Sequence, residues 1–177
     1  MAIQSKEELE QFYDRPDPWN YSNNDADLAR RARLLAVIPR RQYGHVLDIG
    51  CGNGFVTSRL PGEAITGVDL SSNAISYAAA IADSRTTYSQ KSLFDLSHAG
   101  WTNKFDLIVI TGVLYRQYIG QSLLLASFII DDLLSPGGHL ISAHILEWYR
   151  SRFPYTTVAR EYYQYKEYTH VLEVYEK

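Results

Sequence analysis

An aspartate and three glycines at alternate positions, Asp48, Gly50, Gly52 and Gly54, give this sequence its clearest chemical signature. The apolar run that contains the aspartate, residues 45–49, is typical of a short buried strand, and the residues from about 54 onward have helical spacing. A strand, a glycine turn and a helix in this order are typical of a ligand-binding crossover in a doubly wound α/β sheet. Glycine is needed where the backbone takes a positive φ angle or lies against a ligand. The segment therefore predicts a small-molecule site, with a plain tight turn as the alternative.

The spacing of these glycines excludes two common nucleotide motifs. The dinucleotide fingerprint is Gly-x-Gly-x-x-Gly, but Phe55 or Thr57 stands where its third glycine belongs. The phosphate-binding P-loop needs a Gly-Lys-Ser/Thr ending, which is absent from the sequence here. A second acid, Asp69, ends the next predicted strand, where a carboxylate can accept hydrogen bonds from two ribose hydroxyls. The alternative role of Asp69 is to cap the following helix. The ribose role is favoured because Ser71 or Ser72 can cap that helix unaided.

The Asp-x-Gly-x-Gly-x-Gly segment resembles motif I of the class I S-adenosylmethionine (SAM) methyltransferases, and residues 67–71 resemble motif II. In that family the glycine loop faces the methionine part of the cofactor, and the acid helps to position the loop and the cofactor amino group. The resemblance implies SAM as cofactor and S-adenosylhomocysteine (SAH) as product. It implies cofactor contacts for Asp48, Gly50, Cys51, Gly52, Asn53, Gly54, Asp69, Leu70, Ser92, Leu93, Phe94 and Thr111.

The segment after the third predicted strand departs from the family pattern. The family often has Gly-Asp-x-x-Asp there, with an acid that binds the adenine amino group, whereas this sequence has Ser92 at that position. The Ser92 hydroxyl or a backbone carbonyl would replace the acid, and Leu93 or Phe94 would cover the adenine. This departure leaves open a SAM-binding protein without catalysis, for example a partner subunit.

The resemblance to the class I methyltransferases implies their fold, an α/β, Rossmann-like structure. We expect a seven-stranded, mostly parallel sheet with an antiparallel last strand and helices on both faces. The motif Ser135-Pro136-Gly137-Gly138 is expected to end the last helix. We expect one domain over residues 1–177, with N-terminal helices and a lid loop in 1–40 and the cofactor-binding core in 41–177. The predicted helices are 5–15, 25–38, 73–83 and 121–134, and the predicted strands are 45–49, 64–70, 86–90, 104–110, 139–143, 156–164 and 169–175.

Aromatic and imidazole side chains are predicted near the carboxyl ends of the fourth and fifth strands, where ligands of α/β sheets bind. Tyr115 and Tyr118 follow the fourth strand, His144 follows the fifth, and Trp19 and Tyr21 lie in the proline-containing loop before the core. These five form the predicted substrate site, because aromatic faces and polar tips suit a sugar. Tyr115 and His144 are the predicted catalytic residues, although a hydrogen-bonded structural histidine is the commoner role.

The segment Asp17-Pro18-Trp19, residues 105–115 and the compact C-terminal part resemble the rhizobial nodulation-protein-S group. That group N-methylates an amino sugar at the end of a chito-oligosaccharide. The resemblance implies methyl transfer to a small polar acceptor, an amino sugar or another saccharide, with nitrogen preferred over oxygen. The alternative acceptor is the oxygen of a small-molecule natural product, which needs a general base, whereas a neutral amine needs little activation.

Composition narrows the choice of partners and compartment. The 177 residues carry a net charge of −3, which provides no basic excess for a nucleic-acid backbone. The sequence has no apolar run of membrane-spanning length, and its polar N-terminus is not typical of a signal peptide. We expect a cytoplasmic protein without nucleic-acid or membrane partners and, since no metal-ligand spacing occurs, without a metal. The sequence does not specify an oligomeric state.

Overall fold

A seven-stranded sheet in the order β3-β2-β1-β4-β5-β7-β6 organises the computed structural model, which describes residues 5–150 and 153–177. Neighbours among β1 to β5 are parallel, while β7 is antiparallel to both β5 and β6. This arrangement confirms the predicted fold class. The strands are β1 His45–Ile49, β2 Ala64–Asp69, β3 Thr86–Gln90, β4 Phe105–Thr111, β5 Leu134–Ile145, β6 Thr156–Tyr165 and β7 Tyr168–Glu176.

Five α-helices within the described residues surround this sheet, and serine side chains begin two of them. Ser5 forms a capping box with Glu8, and the Ser71 hydroxyl accepts the backbone N–H of Ala74. Four of the predicted helices are present, each somewhat shorter than expected. The helices are α1 Lys6–Phe12, α2 Asp25–Val37, α3 Ser72–Ala80, α4 Arg116–Ile119 and α5 Leu123–Leu133, with 3₁₀ turns at Tyr21–Asn23, Thr57–Arg59 and Phe94–His98. The assignment of residues 1–177 to one domain stays a prediction.

The core lies on both faces of the central strands. Ile108 of β4 packs with Ile130 of α5 on one face, and Leu107 of β4 packs in the cluster that contains Leu34 of α2 on the other. Because successive side chains of a strand point to opposite faces, a strand covered on both faces must be apolar at nearly every position. The nearly continuous apolar sequence of β4 follows from this burial.

The structure corrects the predicted helix after Gly54. A single 3₁₀ turn, Thr57–Arg59, stands there instead of an α-helix. Leu60 is extended, with ψ of 144°, because the residue before Pro61 is disfavoured in the helical region. The buried Thr57 hydroxyl also donates to Asp48 Oδ2 at 2.6 Å. This hydrogen bond fixes the 3₁₀ turn against β1.

The motif Ser135-Pro136-Gly137-Gly138 is also placed differently from the prediction. Helix α5 ends at Leu133, and the motif begins strand β5 rather than forming a separate turn. The reason is pairing with the end of the chain. The Gly137 N–H donates to the Lys177 carbonyl at 2.9 Å, and the Lys177 N–H donates to the Gly138 carbonyl at 3.0 Å.

Helix α1 is attached to the body of the protein through Glu10. Its carboxylate accepts the backbone N–H groups of Ser72 and Asn73 and the hydroxyls of Ser71 and Ser72, at 2.6–3.2 Å. These groups form the first turn of α3, where the helix dipole favours an anion. Although partial burial alone would raise it, these hydrogen bonds lower the pKa of Glu10 to about 2.

We predict that Glu10→Gln loosens α1 without unfolding the sheet. The lost charge at the start of α3 should cost about 1 kcal/mol, so amide hydrogen exchange of residues 6–12 should accelerate while that of β1 and β4 stays unchanged. Since folding lowers the pKa of Glu10, its contribution is complete above the ordinary value of 4.5 and disappears as the pH falls through about 2. Glu7→Gln, a neighbouring exposed carboxylate, is the control. Equal exchange in both variants would contradict the anchoring role.

Candidate active site

A cavity of about 1210 Å³ opens at the carboxyl ends of β1, β2, β4 and β5. Sites for one small ligand usually measure about 300–1,000 Å³, so this cavity has room for two ligands. Its loop side is formed by the glycine loop 50–54 and the ends of β1 and β2. Its hairpin side is formed by the residues after β4 and by the β6–β7 hairpin. The hairpin side comprises Tyr21, Arg30, Tyr115, Tyr118, Ile145, Tyr163 and His170.

The glycine loop needs glycine for two different reasons. Gly52 lines the cavity with φ of +54°, and a Cβ there would lie 2.7 Å from the Tyr13 hydroxyl oxygen. Gly54 has φ of +82°, but a Cβ there would lie 2.7 Å from the Tyr88 hydroxyl oxygen, and Gly54 is absent from the described cavity lining. Gly50 also lines the cavity, but a Cβ there would clash with the side chain of Val113, so Gly50 and Gly54 permit packing of the loop while Gly52 is open toward a ligand.

Asp69 holds the loop against the end of β2. Its Oδ2 accepts the Gly52 N–H and its Oδ1 accepts the Ser71 N–H, both at 2.9 Å. Ser71 itself caps α3, so the carboxylate is not needed as the cap. Burial raises the pKa of Asp69, and these backbone hydrogen bonds oppose the rise. Each carboxylate oxygen accepts more than one hydrogen bond, so Asp69 retains acceptor sites toward the cavity that it lines.

Asp48 is 2% exposed and lines the loop side of the cavity. Burial raises its pKa to about 7, although the hydrogen bond from Thr57 acts in the opposite direction. A buried carboxyl of this kind gains most from a cation that enters the cavity, because the cation stabilises its ionised form. The position suits an ammonium group.

The other predicted cofactor residues also line the loop side, and two of them have local partners. The Asn53 side chain donates to the Pro16 carbonyl at 2.9 Å and so ties the loop to the N-terminal segment. Ser92 and Asp95 bond reciprocally, each side chain accepting the other's backbone N–H. The Ser92 hydroxyl therefore already serves the 3₁₀ turn that follows. The remaining members that line the cavity are Cys51, Leu70, Leu93, Phe94 and Thr111.

The predicted lid loop closes one end of the cavity through a row of aromatic rings. Phe12 stacks with Trp19, Trp19 stacks with Tyr21 and Tyr21 stacks with Phe55, at centroid distances of 5.2–6.1 Å. Trp19 is 38% exposed and Phe12 is 50% exposed. Trp19 and Tyr21 thus pack the loop onto the body and also line the cavity.

Tyr115 and Tyr118 follow β4 and line the hairpin side of the cavity. The Tyr115 hydroxyl oxygen accepts the Ile145 N–H at 2.7 Å, and burial raises the pKa of Tyr115 to about 12. A phenol with that pKa stays protonated at neutral pH, so the geometry favours positioning over proton abstraction. Tyr118 is 38% exposed, with its ring centroid 6.1 Å from that of Tyr115.

His144 is placed differently from the expectation that its imidazole faces the cavity. It is 2% exposed, packs edge-on against Tyr149, and is not among the described residues that line the cavity. Its Nδ1 lies 3.5 Å from the Ser142 hydroxyl, and its Nε2 has no hydrogen-bond partner among the described residues. Burial lowers the pKa of His144 to about 4. Alternation along β5 directs His144 to the face opposite Ala143 and Ile145, which do line the cavity.

His170 and Arg30 occupy the hairpin side although they were not among the predicted site residues. His170 pairs with Ile145, the last residue of β5, because β7 is antiparallel and begins at the carboxyl edge of the sheet. The predicted antiparallel last strand was therefore the signal that could have located it. Arg30 bonds the buried Asp27 at 3.0 Å, and Asp27 also accepts the Tyr165 hydroxyl at 2.8 Å. No comparable sequence pattern pointed to Arg30.

Over residues 5–150 and 153–177, no group of three or more His, Cys, Asp or Glu side chains is arranged to hold a metal ion. The helices in this part of the chain are all too short or too polar to cross a bilayer.

The parallel sheet, the glycine loop after β1 and the acid at the end of β2 together define the class I methyltransferase fold. Residues 41–173 match the family described as a methyltransferase domain, and the chain belongs to that family. The resemblance seen in the sequence is thereby confirmed. SAM as the family's cofactor agrees with the arrangement of Asp48, Gly52 and Asp69 on the loop side.

Individual relatives agree with this assignment. The chain is 30% identical over 140 residues to nodulation protein S of Azorhizobium caulinodans, a match that covers 77% of this chain and 66% of that protein. It is 27% identical over 130 residues to nodulation protein S of Rhizobium tropici, covering 71% and 53%. In these matches the chain spans about two thirds and about half of the relatives' length. The crystal structure of the N-methyltransferase NodS from Bradyrhizobium japonicum with SAH has the same fold, with a TM-score of 0.79, 21% identity and 97% of each chain covered.

We predict that Asp69→Ala weakens SAH binding by about 1–3 kcal/mol, because it removes both the acceptor toward the cavity and the bond that holds Gly52. Isothermal titration calorimetry measures the loss. Gly52→Val should abolish binding, since its Cβ conflicts with Tyr13 and with the positive φ angle. Asp83→Asn, which changes an exposed carboxylate outside the cavity lining, is the control. Unchanged affinity in a folded Asp69→Ala protein would contradict the assignment.

A second prediction concerns pH. Asp48, with a pKa of about 7, should ionise when the ammonium group of SAH binds beside it. Affinity should therefore rise as the pH increases from about 6 to about 7.5, and binding in this range should release protons. Calorimetry in buffers of different ionisation enthalpy measures the release. Asp48→Asn should bind more weakly and lose this pH dependence, and a parent protein with pH-independent affinity would rule out the role of Asp48.

Proposed function

We propose that this protein is a SAM-dependent methyltransferase that methylates the nitrogen of a small polar acceptor, an amino sugar or a related saccharide. The observation that carries the proposal is the two-sided cavity. Its loop side has the family's cofactor elements, and its hairpin side leaves room for a second ligand beside them. The cofactor supplies an electrophilic methyl group on sulfur, and the residues of the chain hold the two reactants in line.

The loop side would hold SAM by its two polar ends. Asp69 would accept the ribose hydroxyls with the lone pairs that Gly52 and Ser71 leave free. Asp48 would accept the methionine ammonium group from the floor of the cavity. Leu93 and Phe94 would cover the adenine, and the Ser92 segment would meet its amino group through the backbone, because the Ser92 hydroxyl is engaged with Asp95.

The hairpin side favours a sugar-like acceptor because it alternates flat rings with polar groups. Tyr21, Tyr118 and Tyr163 present aromatic surface, while Arg30 and His170 present nitrogen groups. Such a combination matches the C–H face and the polar edge of a pyranose. The names of the relatives, nodulation protein S and an N-methyltransferase, support nitrogen as the methylated atom. The net charge of −3 supports a small molecule over a nucleic acid as acceptor.

Transfer to nitrogen requires the neutral amine, because only its lone pair can attack the methyl group. The lone pair forms the new N–C bond while the S–C bond breaks, and the positive charge moves from sulfur to nitrogen. The guanidinium of Arg30 on the hairpin side disfavours a protonated acceptor beside it. The residues of the cavity therefore need to position the amine and to keep it neutral, rather than to activate a weak nucleophile.

We predict that the protein forms SAH with an amino sugar but not with its N-acetyl derivative, because acetylation delocalises the attacking lone pair and leaves the hydroxyls unchanged. The paired assay uses glucosamine and N-acetylglucosamine, as monomers and as short β-1,4-linked oligomers, with SAH and methylated product both measured. Equal methylation of both forms would show oxygen to be the acceptor. Binding of SAH without turnover on any acceptor of the series would favour the non-catalytic alternative.

A further inference from the structure

We propose that His170 is the group that takes the proton from the acceptor nitrogen. This inference rests on the proposed methyl transfer to an amine and names a catalytic residue for it. It starts from the position of His170, which lies at the carboxyl edge of the sheet beside Ile145 and lines the same cavity as the glycine loop.

The packing around His170 fixes its ring without covering it completely. Tyr163 and Tyr165 contact it at centroid distances of 5.4 Å, one tilted and one edge-on, and the side chain remains 8% exposed. The Tyr165 hydroxyl is itself held by Asp27 at 2.8 Å. An imidazole held by two aromatic rings at the wall of the cavity is accessible to an acceptor that binds there, which general base catalysis requires.

Four titratable residues that share the hairpin side with His170 are unsuited to accept a proton at neutral pH. Burial raises the pKa of Tyr21, Tyr115 and Tyr163, so these phenols stay protonated. Arg30 is already a cation. Asp48 belongs to the loop side, where the glycine loop and Thr57 hold it. His170 is the imidazole that the described lining supplies.

The groups around His170 favour its neutral form, in which one ring nitrogen has a free lone pair. Burial lowers its pKa first, and the Arg30 guanidinium lowers it further, while Glu147 acts in the opposite direction. The Glu147 side chain accepts the N–H of Thr169, the residue before His170, and it is exposed to solvent. His144 on the neighbouring strand is a further ionisable group that interacts with His170.

The proposed step balances without an additional reactant. An amine that enters as its ammonium form gives one N–H proton to an imidazole nitrogen of His170, which becomes an imidazolium. The free lone pair then attacks the SAM methyl group, SAM becomes the neutral thioether SAH, and the product nitrogen carries the positive charge. The imidazolium loses its proton to solvent near Glu147, and His170 is neutral again.

The test compares the pH dependence of His170→Ala with that of the parent, on glucosamine with saturating SAM. At about pH 7 only about a tenth of such an amine is neutral in solution, so the variant should lose about tenfold in kcat/KM. At about pH 9.5 most of the amine is already neutral, so the deficit should shrink to a few-fold. Imidazole added to the variant at pH 7 should restore part of the rate. A purely structural role would give neither the pH-dependent deficit nor the rescue.

Two controls separate the possible failures. His98→Ala removes an exposed histidine outside the cavity lining, and its pH profile should match that of the parent. Calorimetry with SAH checks that His170→Ala still binds the cofactor product and is folded. A deficit that is equal at pH 7 and 9.5, without imidazole rescue, would overturn the role of His170 while leaving the methyltransferase proposal intact. A parent protein that methylates no amine at any pH would overturn both.

Discussion

The hydrogen bonds between the glycine loop and the end of β2 are the constraint on which the rest of the site depends. Gly50 and Cys51 both donate to the Val68 carbonyl, and Asp69 accepts the Gly52 N–H. These bonds fix the loop in positive-φ conformations that place its backbone toward the cavity. They also continue the hydrogen bonding between the parallel strands β1 and β2 beyond Ile49 and Val68, the last residues that pair in the sheet. The same carboxylate thus shapes the loop and presents acceptor sites to a ligand.

Much of the fold could be predicted from the sequence because its signals are local. The apolar run of β4, the caps at Ser5 and Ser71 and the hairpin around Lys166 each act over a few residues, and all are observed. The prediction of a helix after Gly54 was wrong because Pro61 disfavours the helical conformation of Leu60, the residue before it. This restriction overrides the helical spacing of the preceding residues. The prediction for the Ser135–Gly138 motif was wrong because the motif pairs with Lys177, which lies far away in the sequence.

The candidate site divides in the same way. The loop side could be predicted because strand, glycine and acid follow one another along the chain. On the hairpin side, side chains from α2, β5 and β7 converge. Whether a strand residue points to the cavity or to the core depends on the pairing register of the strands. One step along β5 separates His144, directed into the core, from Ile145 at the cavity. No composition or spacing argument specifies that step without the sheet itself.

The bond between Tyr165 and Asp27 joins residues 138 positions apart, and Arg33 makes an ion pair with Glu161 across a similar distance. One wall of the cavity therefore consists of the last hairpin packed on the second helix. During synthesis α2 leaves the ribosome long before its partner exists, with Leu34 and Ile38 still uncovered. The hairpin side of the cavity is consequently the last part to assemble, and a chain stalled before β6 would have a complete glycine loop beside a cavity that lacks this wall.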